Sequence, residues 1–289
     1  MIEHHAAPDG TWAMAERRPH PALAPLVARG YTGYRETAAP PRRLEVPNAA
    51  IVVILNLGPP LAVDDSGPLG SFVAGLYDRA VVTHQPGEQA GIQFDLTPLG
   101  ARTLLGLPMR ELARQVVALE DVIPGPLVER LREARGWAAR FDLLDAFLLD
   151  RLARATAPRP DVAFAWSRLV ATHGAVGVGE LCAELRCSRR HLSGRFAQDV
   201  GLGPKAVARI LRFQRVLALL GAPDGSGRAR FAEIAAAGGY YDQPHLNRDF
   251  RELAGCTPTE YLALVLPEGR GVTPPADFPN LQDAAPRAA

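Results

Sequence analysis

The segment Asp242-Gln-Pro-His-Leu-Asn-Arg-Asp-Phe-Arg-Glu-Leu-Ala-Gly-Cys-Thr-Pro258 is the most informative part of the sequence, because the same chain carries an earlier copy of it. That copy reads Ser188-Arg-Arg-His-Leu-Ser-Gly-Arg-Phe-Ala-Gln-Asp-Val-Gly-Leu-Gly-Pro204. At an offset of 54 residues, one His, one Leu, one Phe, one Gly and one Pro recur in register. An internal repeat of this kind indicates one supersecondary unit used twice.

Each copy carries the signals of one helix and of the start of the next. Ser188 and Asp242 are favoured helix N-caps, and each copy contains a Gly suited to the left-handed position after a helix. The final proline suits the first turn of a following helix. A short helical segment and a tight turn precede both copies, at 178–185 and 231–237. Helix, short turn and capped helix together predict two helix-turn-helix units.

The two predicted second helices each have an inner and an outer face. Leu and Phe lie four residues apart and share the inner face, which we expect to pack on Leu181 and Leu185 in the first unit and on Ile234 in the second. Arg, Asn and Gln side chains on the outer face of such a helix can read guanine and adenine edges. The outer residues are Arg190, Ser193, Gly194 and Ala197 in the first unit, and Pro244, Asn247, Arg248 and Arg251 in the second. Gln243 opens the second helix beside this outer face.

Two alternatives accompany this interpretation. The repeat could form two solvated helical hairpins in an all-α domain, but the duplicated caps and basic outer faces count against that reading. His191 and His245 each precede the inner leucine. We interpret both as structural residues near the helix start, with phosphate contact as the alternative.

Residues 161–266 resemble the DNA-binding domain of the AraC/XylS transcription regulators. The segment from Gly239 to Phe250, with Gly255-Cys-Thr-Pro-Thr-Glu-Tyr261, is close to the family signature. The resemblance implies two recognition helices, about 189–198 and 243–252, that enter successive major-groove segments, and a long helix over about 204–220 that joins them. It implies base contacts from Arg190, Ser193, Gln243, Asn247 and Arg248. We expect phosphate contacts from Arg189, Lys205, Arg212 and Arg251.

The same resemblance implies the partners of the chain. They are a double-stranded DNA operator, a small-molecule effector and a second copy of the chain, with RNA polymerase as a further candidate. We therefore predict a sequence-specific DNA-binding regulator of transcription, acting as a homodimer and controlled through its N-terminal domain.

The first unit departs from the family pattern at its turn and on its outer face. Arg186 stands where the family usually has Gly, so it must take a positive φ at some cost or reshape the turn. Gly194 and Ala197 cannot make side-chain hydrogen bonds, so we expect the second helix to dominate specificity. In the loop over 221–230, Arg228 and Arg230 could approach phosphate.

The rest of the chain predicts an α+β fold. Over 1–97, short apolar runs alternate with Gly, Pro and Asp turn signals, which is typical of strands; the runs are 49–59, 71–76, 80–83 and 91–96. From 98 to 155 the apolar spacing becomes helical, in segments 100–107, 110–119, 125–135 and 141–155. The predicted fold is a β-rich N-terminal domain with helices, followed by an all-α domain with two helix-turn-helix units. The family resemblance implies that the first domain is cupin-like.

These patterns divide the chain into four regions, and the family resemblance implies the roles of the first and third. They are a regulatory or dimerisation domain over 1–155, a linker over 156–161, the DNA-binding domain over 161–266 and a disordered, proline-rich tail over 267–289.

Aromatic residues are the candidates for an effector pocket, with burial in the core as the alternative: Tyr31, Tyr34, Phe72, Tyr77 and Phe94. A metal-dependent barrel enzyme would need two His and a carboxylate. His84 and Glu88 supply one of each without a His-x-His partner, and we expect His4 and His5 to lie in a frayed terminus. We predict no catalytic residues, no metal and no cofactor, since phosphate-loop and nucleophile-elbow motifs are also absent from the sequence.

Composition narrows the class of protein further. The net charge is +1, but 13 basic and 10 acidic residues fall within 161–266, against 17 and 18 within 1–160. A basic excess confined to one segment suits phosphate binding. No apolar stretch approaches the roughly 20 residues of a membrane helix, and the N-terminus has no secretory pattern, so we expect a cytoplasmic protein without membrane contact. We expect Cys182, Cys187 and Cys256 to be reduced thiols.

Overall fold

The computed structural model describes residues 1–7, 10–64, 66–85, 87–221, 231–265 and 272. The loop over 222–230, with Arg228 and Arg230, lies outside the described residues, as does the predicted tail apart from Val272. Within the described residues no helix is both long and apolar enough to span a membrane.

The N-terminal region contains two antiparallel sheets. Its strands are β1 (Ile2–Ala6), β2 (Trp12–Arg17), β3 (Tyr31–Glu36), β4 (Arg42–Glu45), β5 (Ile51–Asn56), β6 (Ala62–Val63), β7 (Phe72–Ala74), β8 (Val81–His84), β9 (Gln89–Leu96) and β10 (Val116–Ala118). The larger sheet has the order β1-β2-β3-β9-β5-β7-β10, and the smaller one has the order β4-β8-β6.

Eleven α-helices follow or interrupt these strands in the described chain. They are α1 (Pro98–Leu105), α2 (Leu119–Val122), α3 (Leu127–Glu133), α4 (Gly136–Ala153), α5 (Pro160–Ala171), α6 (Val178–Glu184), α7 (Arg189–Val200), α8 (Pro204–Leu220), α9 (Phe231–Ala237), α10 (Gln243–Ala254) and α11 (Pro258–Leu264). The predicted α+β class, with a β-rich N-terminal region and a helical helix-turn-helix region, is confirmed.

The larger sheet separates two environments because side chains alternate across a strand. One face carries fully buried Tyr31, Val53 and Ile92, which pack with Phe141 and Leu144 of α4. The other face turns toward the smaller sheet. The main core of the region therefore lies between the larger sheet and its helices, and a second layer lies between the two sheets.

Two local predictions are wrong. The segment 110–119 was expected to be helical, but it contains a 3-10 turn at Met109–Glu111 and then strand β10. The strand forms because Val116 and Val117 pair with Ala74 and Val73 of β7, a non-local contact that helical periodicity cannot reveal. The expected frayed terminus is also corrected, since His4 and His5 lie in β1, paired with β2.

The first helix-turn-helix unit shares its core with the N-terminal region. Leu192, Phe196 and Val200 of α7 belong to the same hydrophobic cluster as Leu104 of α1 and Met109. At the C-terminal end of α7 the buried Asp199 carboxylate lies 3.6 Å from Nε of Arg102 and 3.7 Å from Nη1 of Arg159. Helix α7 is therefore held by α1 on one side and by the start of α5 on the other.

The second unit has a core of its own around Phe213, Leu246 and Phe250. A small additional cluster joins it to the smaller sheet, where Leu44, Ala80, Val82 and Val272 pack together with Tyr261 and Leu264 of α11. The backbone N–H of Leu44 donates to the carbonyl of Val272 at 2.6 Å. Both units thus contact the N-terminal region, through different elements.

Candidate nucleic-acid interface

The first helix-turn-helix unit is built from α6 and α7. Ser188 caps α7, and its hydroxyl accepts a hydrogen bond from the N–H of His191 at 3.1 Å. The turn ends α6 as a Schellman motif, in which the N–H of Cys187 donates to the carbonyl of Cys182 and that of Arg186 to Ala183. Arg186 occupies the left-handed position with φ 51°. Of the two alternatives for Arg186 at the usual glycine position, the structure therefore shows the strained left-handed backbone and not a reshaped turn.

The second unit, from α9 and α10, uses the same motif with one residue more. The N–H of Tyr240 donates to the carbonyl of Ala235, and Gly239 takes the left-handed position with φ 80°. Tyr241 then extends the turn before Asp242, whose Oδ1 accepts from the N–H of His245 at 2.8 Å. Both predicted N-caps are thus present.

The recognition helices bury the predicted inner faces. Leu192 and Phe196 in α7, and Leu246 and Phe250 in α10, have no solvent exposure. Both helices extend slightly beyond the expected bounds, to Val200 and Ala254.

The five candidate base-reading side chains all reach the surface to some degree. Arg190, Gln243 and Arg248 are exposed, and Ser193 and Asn247 are half-buried. Gly194 is exposed and Ala197 is half-buried, so α7 offers fewer hydrogen-bonding groups than α10.

The candidate phosphate-binding residues fall into two groups. Arg189, Lys205 and Arg251 are exposed. Arg212 is half-buried in α8, and its Nη1 donates to the carbonyl of Gly174 at 2.8 Å while its guanidinium lies over the ring of Tyr240. This arrangement joins the α5–α6 connection to the turn of the second unit, so Arg212 has a structural partner on each side.

The two repeated histidines differ. His191 is exposed, and its Nε2 lies 3.2 Å from Nη1 of Arg195. The ring of His245 packs edge-on against Tyr240 with centroids 5.1 Å apart. The structural interpretation thus has a contact to support it at His245, whereas His191 faces solvent.

Sequence reasoning missed two features of the second unit. The buried carboxylate of Asp249 accepts from Nε of Arg209 at 2.8 Å, and the same guanidinium bonds Glu252, which ties α8 to α10. The sequence did contain a signal for this contact. Asp249 comes three residues after Leu246, so it faces inward, and a buried charge needs a partner. The second feature is Tyr241, which is 93% exposed at the start of α10.

A cavity of about 250 Å³ lies between the two sheets. Of the aromatic candidates, Tyr34, Phe72 and Tyr77 line it. Tyr31 and Phe94 do not, because they lie on the opposite face of the larger sheet, where their rings pack edge to face 5.9 Å apart. Tyr31 and Tyr34 are three residues apart in one strand, and an odd spacing puts two side chains on opposite faces.

Polar groups occupy one part of the cavity wall. Nη2 of Arg43 donates to both carboxylate oxygens of Glu36, at 2.7 and 2.5 Å, and so links the two sheets. Tyr34 lies across β9 at Gly91, where a Cβ would come within 2.7 Å of the tyrosine hydroxyl. Burial raises the pKa of Tyr34 above its ordinary value, so the hydroxyl stays protonated.

Two further sets of side chains have reactive groups: an exposed cluster on the β1–β2 hairpin and the three cysteines. Glu3, His5 and Glu16 bring ligand atoms within 4.8 Å of one another on the β1–β2 hairpin, and all three are exposed. His84 and Glu88 are not part of this group. The three cysteines are unpaired, as expected, and burial raises the pKa of the Cys256 thiol to about 11.

Comparison with known proteins identifies two regions of the chain. Residues 181–263 match the family described as "Helix-turn-helix domain", and residues 15–118 match "Domain of unknown function (DUF6597)". A search of curated protein sequences found no match.

Among solved structures, ToxT from Vibrio cholerae is similar, with 14% identity over 81% of this chain and 97% of that chain, at a TM-score of 0.46. ToxT bound to an unsaturated fatty acid matches with 11% identity over 80% of this chain and 94% of the other, at a TM-score of 0.42.

Proposed function

We propose that this chain, whose residues 181–263 match a helix-turn-helix domain family, is a sequence-specific DNA-binding regulator of transcription of the AraC type. The observation that carries the proposal is the pair of capped helices α7 and α10, each with a buried inner face and an exposed polar outer face. The 17-residue helix α8 joins them in one domain. Two such helices can read two successive major-groove segments.

In this proposal α10 supplies most of the specificity. Arg248 can donate two hydrogen bonds to one guanine, and Gln243 and Asn247 can each pair with adenine. Helix α7 contributes Arg190 and Ser193, while its Gly194 and Ala197 offer no hydrogen-bonding side chain. Arg189, Lys205 and Arg251 contact phosphate and set the register of the domain on DNA without reading sequence.

We propose further that a small effector occupies the inter-sheet cavity and alters DNA binding from there. Strand β9 supplies Gln89 and Gln93 to the cavity wall. The strand leads through Thr97, the N-cap of α1, directly into the helix that packs on α7. A ligand that shifts β9 therefore acts on an element in contact with the first recognition helix.

The chain is proposed to act as a homodimer through residues 1–155, so that two DNA-binding domains occupy paired sites. RNA polymerase remains a candidate partner. Sedimentation of the fragment 1–155 at tens of micromolar should give a dimer, and a monomer there would remove this part of the proposal.

The test of the main proposal is selection of DNA by the full chain from a randomised duplex pool. We expect enrichment of one motif with two separated segments. Binding to the selected duplex should weaken steeply between about 50 and 200 mM salt, because phosphate contacts release counterions. Lys205→Ala should lower affinity for all duplexes alike and flatten the salt slope. A pool that shows no enriched motif would contradict the proposal.

A further inference from the structure

The cavity between the sheets is divided into a polar and an apolar side. In the larger sheet, β3 and β9 contribute Tyr34, Glu36, Gln89 and Gln93, whereas β5, β7 and β10 contribute Val52, Ile54, Phe72, Ala74 and Val116. The smaller sheet follows the same division, since β4 contributes Arg43 and β6 contributes Val63. The Arg43–Glu36 contact places β4 over the polar strands. Val63, Ile54 and Phe72 share one apolar cluster on the other side.

Three hydrogen-bonding atoms of the cavity wall are buried without a protein partner. They are Nε of Arg43, Nε2 of Gln89 and Oε1 of Gln85. Gln89 is 97% buried, since only 3% of its surface is exposed. Buried polar atoms are nearly always paired, so these atoms point to a ligand group.

The three residues are neighbours in the fold. Gln89 pairs directly with Glu36 across β9 and β3, and Glu36 holds Arg43. Arg43 pairs with Thr83 across β4 and β8, and the amide of Gln85 reaches the hydroxyl of Thr83 at 3.4 Å. The three unpartnered atoms therefore belong to the same polar side of the cavity.

Both arginines of the wall are already paired with carboxylates. Arg43 is bonded to Glu36, and Arg79 is bonded to Asp64 at 3.0 Å. Glu45 also lines the wall, but its residue is exposed to solvent. An anionic ligand would find no free cation here, and a cationic ligand would leave the two unpartnered donors unsatisfied.

We propose that the cavity binds a small, uncharged molecule with an apolar body and one hydroxyl group. A hydroxyl accepts up to two hydrogen bonds and donates one, which matches two free donors, Arg43 Nε and Gln89 Nε2, and one free acceptor, Gln85 Oε1. The apolar body lies against Ile54, Phe72 and Val81. A volume of about 250 Å³ is below the usual range of drug-sized pockets, so the molecule is about the size of one substituted ring. The inference rests on the proposed function only in treating this molecule as the effector.

The experiment uses four probes with a common ring: benzyl alcohol, toluene, benzoate and benzylamine. Their binding to the full chain at up to millimolar concentration is measured by ligand-observed NMR and by the shift in melting temperature. Benzyl alcohol should bind about tenfold more tightly than toluene, since a tenfold gain in affinity is about the net contribution of one hydrogen bond. Benzoate and benzylamine should bind more weakly than benzyl alcohol.

Gln89→Leu is the decisive variant, because it removes one of the two donors and keeps a side chain of similar size. It should lower the preference of the cavity for benzyl alcohol over toluene, because only one donor and the acceptor remain. Gln115→Leu is the matched control, since Gln115 is exposed and does not line the cavity. Any of four results would overturn the inference. They are equal binding of benzyl alcohol and toluene, a preference for benzoate or benzylamine, no binding of any probe, and an unchanged preference in Gln89→Leu.

DNA binding of the same preparation separates the two proposals. A hydroxyl preference without any DNA binding would leave the ligand class standing and remove the regulatory function. Intact DNA binding without the hydroxyl preference would remove the proposed ligand class and leave the proposed regulatory function.

Discussion

At the scale of single residues, the proposed base reading depends most on the side chain of Arg248. It lies on the outer face of α10, with the inner face anchored by Leu246 and Phe250. Within the part of the chain that the structure describes, no carboxylate forms an ion pair with its guanidinium, whereas Arg209 of α8 is paired with Asp249. A side chain in this position can be changed without disturbing the core.

Arg248→Ala should therefore leave the fold intact and weaken binding to the selected duplex by about 1–3 kcal/mol, while non-specific binding changes little. Phe250→Ala is the contrasting variant, since truncating a buried Phe costs about 3–5 kcal/mol of stability. Thermal melts and binding to the randomised pool measure both effects. If Arg248→Ala keeps full affinity and the same base preference, α10 does not read DNA as proposed.

Tyr241 calls for a different prediction, because it stands before the N-cap and not on the reading face. A hydroxyl at a helix start can donate to a phosphate oxygen. Tyr241→Phe should weaken specific and non-specific binding equally, by about 1 kcal/mol, and leave the melting temperature unchanged because the side chain is 93% exposed. Fluorescence anisotropy with two duplexes checks this, and a change in base preference would speak against a phosphate contact.

At the scale of elements, the position of α10 depends on α8 as well as on its own core. Arg209 reaches across from α8 to the buried Asp249 and to Glu252. Removing the arginine would leave the Asp249 carboxylate buried, at 6% exposure, without its cation. Breaking such a pair from one side is costly because the remaining charge is uncompensated.

Arg209→Ala should lower the free energy of unfolding by about 3 kcal/mol. Arg215→Ala, in the same helix but exposed, is the control and should change it by less than about 0.5 kcal/mol. Urea denaturation of the full chain gives both values. Equal stability of the two variants would show that the contact between α8 and α10 contributes nothing.

At the scale of the whole molecule, the two helix-turn-helix units differ in their dependence on the N-terminal region. The core of the first continues into α1 and Met109, and Asp199 lies between Arg102 and Arg159. The core of the second is formed by residues of the DNA-binding domain, and its contacts with the N-terminal region are smaller, through Val46 and α11. Loss of the N-terminal region therefore uncovers the first unit more than the second.

We expect a fragment of about residues 158–266 to fold and to bind DNA. In hydrogen exchange, the amides of α7 should lose more protection than those of α10 when the fragment is compared with the full chain. Uniform protection across both helices would mean that the shared core does not stabilise the first unit. A folded fragment with no affinity for any DNA would remove the modular view altogether.

The sequence by itself determined the features that depend on a few neighbouring residues. The caps at Ser188 and Asp242 and the inner face of α10 are local, because a cap and a helical period each involve residues within one or two turns of chain. At Arg186 the sequence left a positive φ and a reshaped turn open, and the structure shows the positive φ.

Tertiary structure alone decided the features that depend on distant partners. Val116 and Val117 form a strand only because β7 lies beside them, and Arg212 and Arg209 are engaged only because α8 meets two other elements. The cavity and its unpartnered atoms arise where two sheets face each other, and the link from β9 through α1 to α7 exists only in the packed molecule. Such contacts join residues far apart in the chain, and local pattern carries no information about which distant surface a side chain will meet.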